Sequence, residues 1–146
     1  MKTVEIYTDG ACSGNPGLGG YCAILIYQKV EKVISGAEEN TTNNRMELIA
    51  VIKGLEALKE NCIVNLYSDS RYVIDAFNEK WIDSWQVNGW KTSGKKEVKN
   101  VDLWLKLLEY TKIHKINFIK VKGHADNEYN NRCDKIAVEE YKKLQK

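Results

Sequence analysis

The sequence predicts a single α/β domain built on a mixed sheet. Three observations carry that expectation. Strand-like runs dominate the first forty residues. At Asn44 the apolar period switches to a helical one. From there strand-like and amphipathic helical segments alternate, so three early strands are followed by helix–strand–helix–helix–strand–helix, five strands with helices packed on them.

The elements follow in order. Residues 3–9, "TVEIYTD", read as a strand. The small-residue loop "GACSGNPGLGG" holds the only proline, and Asn15-Pro16-Gly17 suits a type II turn with Gly17 at positive φ. Residues 20–27 and 30–37 read as a hairpin. Leu48, Val51, Ile52, Leu55 and Leu58 recur at helical spacing, which predicts a helix from Asn44 to about residue 60. "CIVNLYSD" (62–69) is a strand, and a helix begins at Ser70. Residues 81–100, with three tryptophans and scattered lysines, have no clear period. "VDLWLKLLEYT" reads as a helix, "INFIKVKG" as a strand, and 127–145 as a closing helix.

Composition excludes several classes. A chain of 146 residues suits one domain, 1–146, with a real core. Its 43% hydrophobic and 29% charged residues are ordinary globular usage. No apolar run has membrane length, and the N-terminus enters a strand directly, so the expectation is a cytoplasmic protein without membrane contact. Four widely spaced cysteines without C-x-x-C argue for reduced thiols rather than a zinc site or disulfide framework. A net charge of +2 means that any nucleic-acid contact comes from local patches.

Two short stretches carry the chemistry. "EIYTDGA" and "NLYSDSR" both run apolar, Tyr, hydroxyl, Asp, small. Side chains alternate along a strand, so Glu5, Tyr7 and Asp9 share a face of the first strand, and Asn65, Tyr67 and Asp69 share a face of the later one. Both aspartates fall at the C-terminal end of their predicted strand, where open α/β sheets place ligand sites. On parallel neighbouring strands the two carboxylates converge, and such a pair is costly unless a cation sits between them. Read singly, each has a plainer explanation. Asp69 or Ser70 caps the next helix, and Asp9 leads an Asx turn. Glu47 and Asp134 are further candidates. Asn44-x-x-Glu47 resembles a capping box, and Asp134 near Lys135 or Arg132 reads equally as a solvated helix acid.

The motifs "YTDGACSGNPG", "TTNNRMEL", "LYSDSRYV", "NGWKT", "VKNVDLW" and "VKGHADNEYNNRCDKIA", in this order and spacing, resemble bacterial ribonuclease H type 1 nearly end to end. The resemblance implies the ribonuclease H-like fold, a five-stranded mixed sheet with helices on both faces. It implies an endonuclease that hydrolyses the RNA strand of RNA–DNA hybrids and leaves 3′-hydroxyl and 5′-phosphate ends. It places Asp9, Glu47, Asp69 and Asp134 as ligands of two Mg²⁺, with Mn²⁺ as a possible substitute, and His124 on a loop acting in proton transfer or product release. Magnesium prefers hard oxygen ligands and retains waters, so carboxylates plus substrate phosphate suffice. Two such ions answer the anionic phosphodiester without a nucleophilic side chain.

The resemblance also sets Asn15, Asn43 and Ser70 near the hybrid's groove and Thr42 near a DNA-strand phosphate. Short amides and hydroxyls suit the 2′-hydroxyls of a shallow minor groove. "TTNN" is equally good helix-capping sequence. Arg71 stands where relatives often have glutamine and could add a contact. Trp81, Trp85 and Trp90 have the family's spacing in its protruding substrate-binding region. Trp81 and Trp85 lie one turn apart, which fits core packing as well as stacking on DNA sugars.

One departure stands out. Between Trp81 and Trp90 the chain has "IDSWQVNG", with Asp83 and no Lys or Arg, where relatives are usually basic. Smaller departures are Asp126 in the histidine loop and Asn131 beside Arg132. The expected state is a monomer. The rival readings are a related metal-dependent nuclease, a catalytically weak or inactive hybrid-binding module, and a generic interaction domain. The length, the "GNPG" loop and the four retained acids speak against them.

Overall fold

A computed structural model describes residues 1–122 and 127–145. The sheet has five strands: β1 (Lys2–Cys12), β2 (Gly17–Tyr27), β3 (Val30–Thr41), β4 (Cys62–Ser68) and β5 (Lys115–Lys120). Its order is β3-β2-β1-β4-β5. β1 pairs antiparallel with β2, and β2 with β3, while β4 runs parallel to both β1 and β5. The helices are α1 (Asn43–Glu56), α2 (Arg71–Asn78), α3 (Trp81–Val87), α4 (Val101–Ile113) and α5 (Glu128–Lys142).

Alternation along the strands builds two cores of unequal size. Val4 and Ile6 of β1, Ala23 and Leu25 of β2, and Val64 and Leu66 of β4 face α1, α2 and α4, where Leu48, Val51, Leu55, Val73, Trp104 and Leu107 are buried. The opposite parity, Cys22 and Ile24 of β2 with the flank of Tyr7, packs under α5 through Cys133 and Ala137. A Cβ on Gly20 would strike the Ala137 carbonyl, so this glycine lets α5 lie directly on β2. The expected mixed sheet with helices on both faces is what the chain forms.

Several local expectations change. Gly17 does not take positive φ, and the Asn15–Pro16 peptide is cis, so the loop is not the predicted type II turn. β1 continues past Asp9 to Cys12 because β2 pairs with it that far, ending at Cys12↔Gly19. Asp9 therefore lies inside a strand, not at its end. Helix α1 starts at Asn43 and stops at Glu56, earlier than the apolar period suggests. Its cap is Thr42, whose hydroxyl accepts the Arg45 N–H at 3.3 Å. Glu47 is thus no capping-box partner of Asn44.

His114 is buried, and its Nδ1 accepts the Cys62 backbone N–H at 3.1 Å. It joins α4 to β4 and so has a structural role. No helix among the described residues is long and apolar enough to cross a membrane.

Candidate active site

The parallel ladder sets the site. β1 and β4 pair in register from Lys2↔Cys62 to Tyr7↔Tyr67. Asp9 and Asp69 therefore stand at matched positions two residues beyond the last pair. Just before them the rings of Tyr7 and Tyr67 stack at 4.4 Å between centroids, and Thr8 donates its hydroxyl to the Tyr67 carbonyl at 3.0 Å. These contacts pin the two strands together where the ladder ends. Asp69 lies between the last residue of β4 and Ser70, which caps α2 by accepting the Val73 N–H at 3.3 Å. The cap belongs to Ser70, not Asp69.

Glu47 arrives from the other side of the sheet. Gly10 has the parity that faces α1, and a Cβ there would meet the Glu47 nitrogen at 2.5 Å and the Met46 Cβ at 2.8 Å. The bare backbone lets the first turns of α1 ride against β1. The Gly10 N–H then donates to Glu47 Oε1 and, at 2.9 Å, to Asp9 Oδ1. One carboxylate oxygen each from Asp9, Glu47 and Asp69 lies within 4.8 Å of the others.

The electrostatics are those of crowded, largely buried acids. Asp9 and Glu47 are each 4% exposed. Burial, then the charges of Asp69 and Asp134, push the Asp9 carboxyl up to about 7, against a lowering from its hydrogen bond with Glu47. Burial, then the Asp9 charge, holds Glu47 well above the ordinary carboxylate range. Asp134 is half-buried on α5, one residue after the buried Cys133, whose thiol donates to the Tyr7 carbonyl at 3.2 Å. It stands outside the tight triad but near enough for its charge to act on Asp9. Arg132 is no partner for it, since its guanidinium pairs with Glu31 at 3.0 Å. His124 lies outside the described residues.

The residues expected to touch substrate occupy one side of this acid end. Asn15 Oδ1 accepts the Asn43 N–H at 2.9 Å, tying the "GNPG" loop to the start of α1. Asn15, Thr42 and Asn43 line a groove of about 630 Å³ whose far wall includes Trp85, Thr92 and Asn100. Arg71 is exposed and pairs with Asp75 at 3.4 Å. The three tryptophans divide. Trp85 packs edge-on against Trp104, 5.4 Å between centroids, and Trp90 leans on Trp85 at 6.5 Å. Trp81 is 42% exposed and points out of the core. Of the three, Trp85 lines the groove, and neither Trp81 nor Trp90 is among its lining residues.

A bracing network went unread in the sequence. Arg45 grips Asp102 with both guanidinium nitrogens, at 3.1 and 3.0 Å, and Asn100 Oδ1 at 3.1 Å. Asn100 donates in turn to the Tyr72 hydroxyl at 3.1 Å. The network locks the start of α1 to the start of α4 and so fixes both walls of the groove. The only local signal was "KNVD", an Asn ahead of a helix.

Comparison with known proteins agrees with this layout. The RNase H family model matches residues 1–142. A protein named Ribonuclease H from Caldanaerobacter subterraneus subsp. tengcongensis is 67% identical over 142 residues, covering 97% of this chain and 93% of that protein. Among solved structures, LC9-RNase H1, described as a type 1 RNase H with the type 2 active-site motif, superimposes with a TM-score of 0.87 at 26% identity, over 98% of this chain and 74% of that one. LC11-RNase H1 in complex with an RNA/DNA hybrid shares the fold, with a TM-score of 0.69 at 22% identity over 98% of this chain and 99% of that one. Identity of this depth, along a chain whose β1–β4 register and α1–Gly10 contact bring three buried or half-buried acids together, makes it a member of the ribonuclease H family with ribonuclease H activity.

Proposed function

We propose that this chain cuts the RNA strand of RNA–DNA hybrids endonucleolytically by a two-metal-ion reaction and leaves 3′-hydroxyl and 5′-phosphate ends. The observation that carries this reading is the triad of Asp9, Glu47 and Asp69 oxygens within 4.8 Å of one another, two of those side chains almost wholly buried. Carboxylates so placed repel one another, and hard divalent cations are the partner their chemistry selects. Asp9, Glu47, Asp69 and Asp134 would hold two Mg²⁺, which when bound supply an activated water and a counter-charge for the leaving oxygen.

The protein's own residues do the remaining work. Asn15, Asn43 and Ser70 present short polar groups to the hybrid's minor groove, where the 2′-hydroxyls identify the RNA strand. Thr42 sits beside the groove wall that would take the DNA-strand phosphate, Arg71 adds a mobile positive charge, and Trp81 and Trp90 flank the DNA sugars. His124 serves proton transfer or product release. The working unit is a monomeric domain spanning residues 1–146 in the cytoplasm. A ribonuclease H neighbour captured with an RNA/DNA hybrid supports the choice of substrate.

Gel-resolved cleavage of an end-labelled RNA–DNA hybrid tests the reading, beside single-stranded RNA, duplex RNA and duplex DNA, with Mg²⁺ or EDTA. Cutting confined to the hybrid and dependent on metal is expected. An uncut hybrid that still binds would replace the nuclease with a hybrid-binding module.

A further inference from the structure

The Gly10 backbone amide touches both buried acids. Its N–H reaches Asp9 Oδ1 at 2.9 Å and also Glu47 Oε1. These carboxylates come from different layers. Asp9 has the strand parity of Tyr7, which packs under α5, whereas Glu47 comes from α1, whose apolar face packs on the opposite side of the sheet. The peptide nitrogen between Asp9 and Gly10 is a point where the two layers meet in a hydrogen bond. The missing side chain matters as well, because a Cβ would lie 2.5 Å from the Glu47 nitrogen.

We propose that Gly10 is a positioning residue for metal capture: its N–H holds the Asp9 and Glu47 carboxylates at one separation before any cation arrives, and its lack of a side chain sets that separation. An amide donor occupies one oxygen of each carboxylate and leaves the other free to ligate. It also offsets part of the repulsion between them. Partners of this kind behind ligating groups typically govern affinity for the ion. The role rests on the metal-dependent reading above, but it concerns capture of the ion rather than cleavage of RNA.

The amide can be removed without adding a side chain. Glycolic acid in place of Gly10 converts the Asp9–Gly10 amide to an ester, exchanging N–H for oxygen. Cys12 supplies a natural junction, so synthetic residues 1–11 as a thioester can be ligated to residues 12–146, with an all-amide chain joined in the same way as control. Titration calorimetry with Mg²⁺ alone, without nucleic acid, is the first readout. The ester chain is expected to bind Mg²⁺ about tenfold more weakly. At saturating Mg²⁺ its KM for hybrid is expected to match the control, with the loss confined to the Mg²⁺ dependence. Equal Mg²⁺ affinity in the two chains overturns the role. Should the ester chain not fold, the unmodified protein decides. In metal-free protein the Gly10 amide resonance is expected to move in both Asp9→Asn and Glu47→Gln. A Gly10 resonance indifferent to both substitutions overturns the role. Neither the calorimetry nor the resonance shift uses cleavage, so a natural protein that leaves hybrid uncut refutes the nuclease reading while these two results stand.

Discussion

The acid end of the sheet and the protrusion formed by residues 80–100 are built by opposite means. At the acid end a parallel ladder, a stacked tyrosine pair and a glycine–helix contact fix each carboxylate from the core outward. The protrusion has one short helix, one isolated bridge between Lys91 and Glu97, and four non-glycine residues at positive φ, Lys80, Trp90, Lys95 and Asn100. It hangs on the domain by Trp85 against Trp104 and by the Tyr72–Asn100–Arg45 chain. Chemistry that depends on sub-ångström placement sits where the core dictates position. On the proposed reading, contact with a long polyanion falls where the surface can vary. Substitutions at the first should change turnover, and those at the second should change affinity.

The largest effect tests the acid end directly. Asp9→Asn keeps the shape and removes the central charge, and several kcal/mol of transition-state stabilisation correspond to a loss of on the order of 10³-fold or more in kcat. Cleavage assays at saturating hybrid and Mg²⁺ measure it. A variant that keeps a tenth of its activity would move the reaction away from Asp9.

The same residue carries the next largest effect, on stability. The folded Asp9 and Glu47 carboxyls bind protons more tightly than their unfolded counterparts. Their contribution is therefore fully present below the unfolded carboxylate range near pH 4; the share of Asp9 is lost as pH rises through about 7, and that of Glu47 is likewise lost on the alkaline side. Metal-free protein should lose on the order of 3 kcal/mol of stability between those limits, and Asp9→Asn should remove the share of Asp9 while the share of the buried Glu47 persists. Urea unfolding in EDTA across that range checks it. His114 works in the opposite sense. Burial lowers its pKa, so its contribution is present above the ordinary histidine value near 6.5 and is lost as pH falls below it.

Trp85→Ala and Trp81→Ala separate the protrusion's two kinds of aromatic. Trp85 is wedged against Trp104 and Trp90, so its truncation should cost roughly 3 kcal/mol of stability by urea unfolding. Trp81 is exposed, and Trp81→Ala should leave stability unchanged while raising the KM for hybrid about tenfold, the worth of one stacked contact. If Trp81→Ala unfolds the protein and Trp85→Ala does not, the division of roles is reversed.

The sequence was legible where a simple period governed. Alternation in "EIYTDGA" and "NLYSDSR" was enough to place Asp9 and Asp69 on one face, and the parallel register then aligned them. Glu47 was ambiguous because a glutamate early in a helix suits a cap as well as a ligand. Only the contact with Gly10, thirty-seven positions away, distinguishes the two. The Arg45 network was hidden for the same reason, since its partners lie 55 and 57 residues off. The protrusion had no period to read. Its turns use Lys, Trp and Asn at positive φ where sequence rules look for glycine, and Gly89 is the lone glycine among the described residues to do so. The turn at Pro16 was misread because Asn-Pro-Gly suits a type II turn as well as a cis peptide.

The smallest effect sharpens the comparison most. Each phosphate a protein neutralises adds to the slope of log affinity against log salt. Helix α3 and its flank present exposed Asp83, Ser84 and Asn88, and the positive charges resume only at the exposed Lys91, Lys95, Lys96 and Lys99. The hybrid should therefore meet fewer cations here than on a relative with a lysine-rich protrusion, and the salt slope should be shallower by about one for each missing contact. Asp83→Lys and Asn88→Lys should each restore about one unit of slope, with kcat at saturating hybrid unchanged. Binding measured with Asp9→Asn protein, so that the hybrid stays intact, gives the slope. A natural protein already as steep as a lysine-rich relative would mean that the four lysines beyond Trp90 carry all the phosphate contact. A rise in kcat with the added lysines would mean that the protrusion does more than hold the strand.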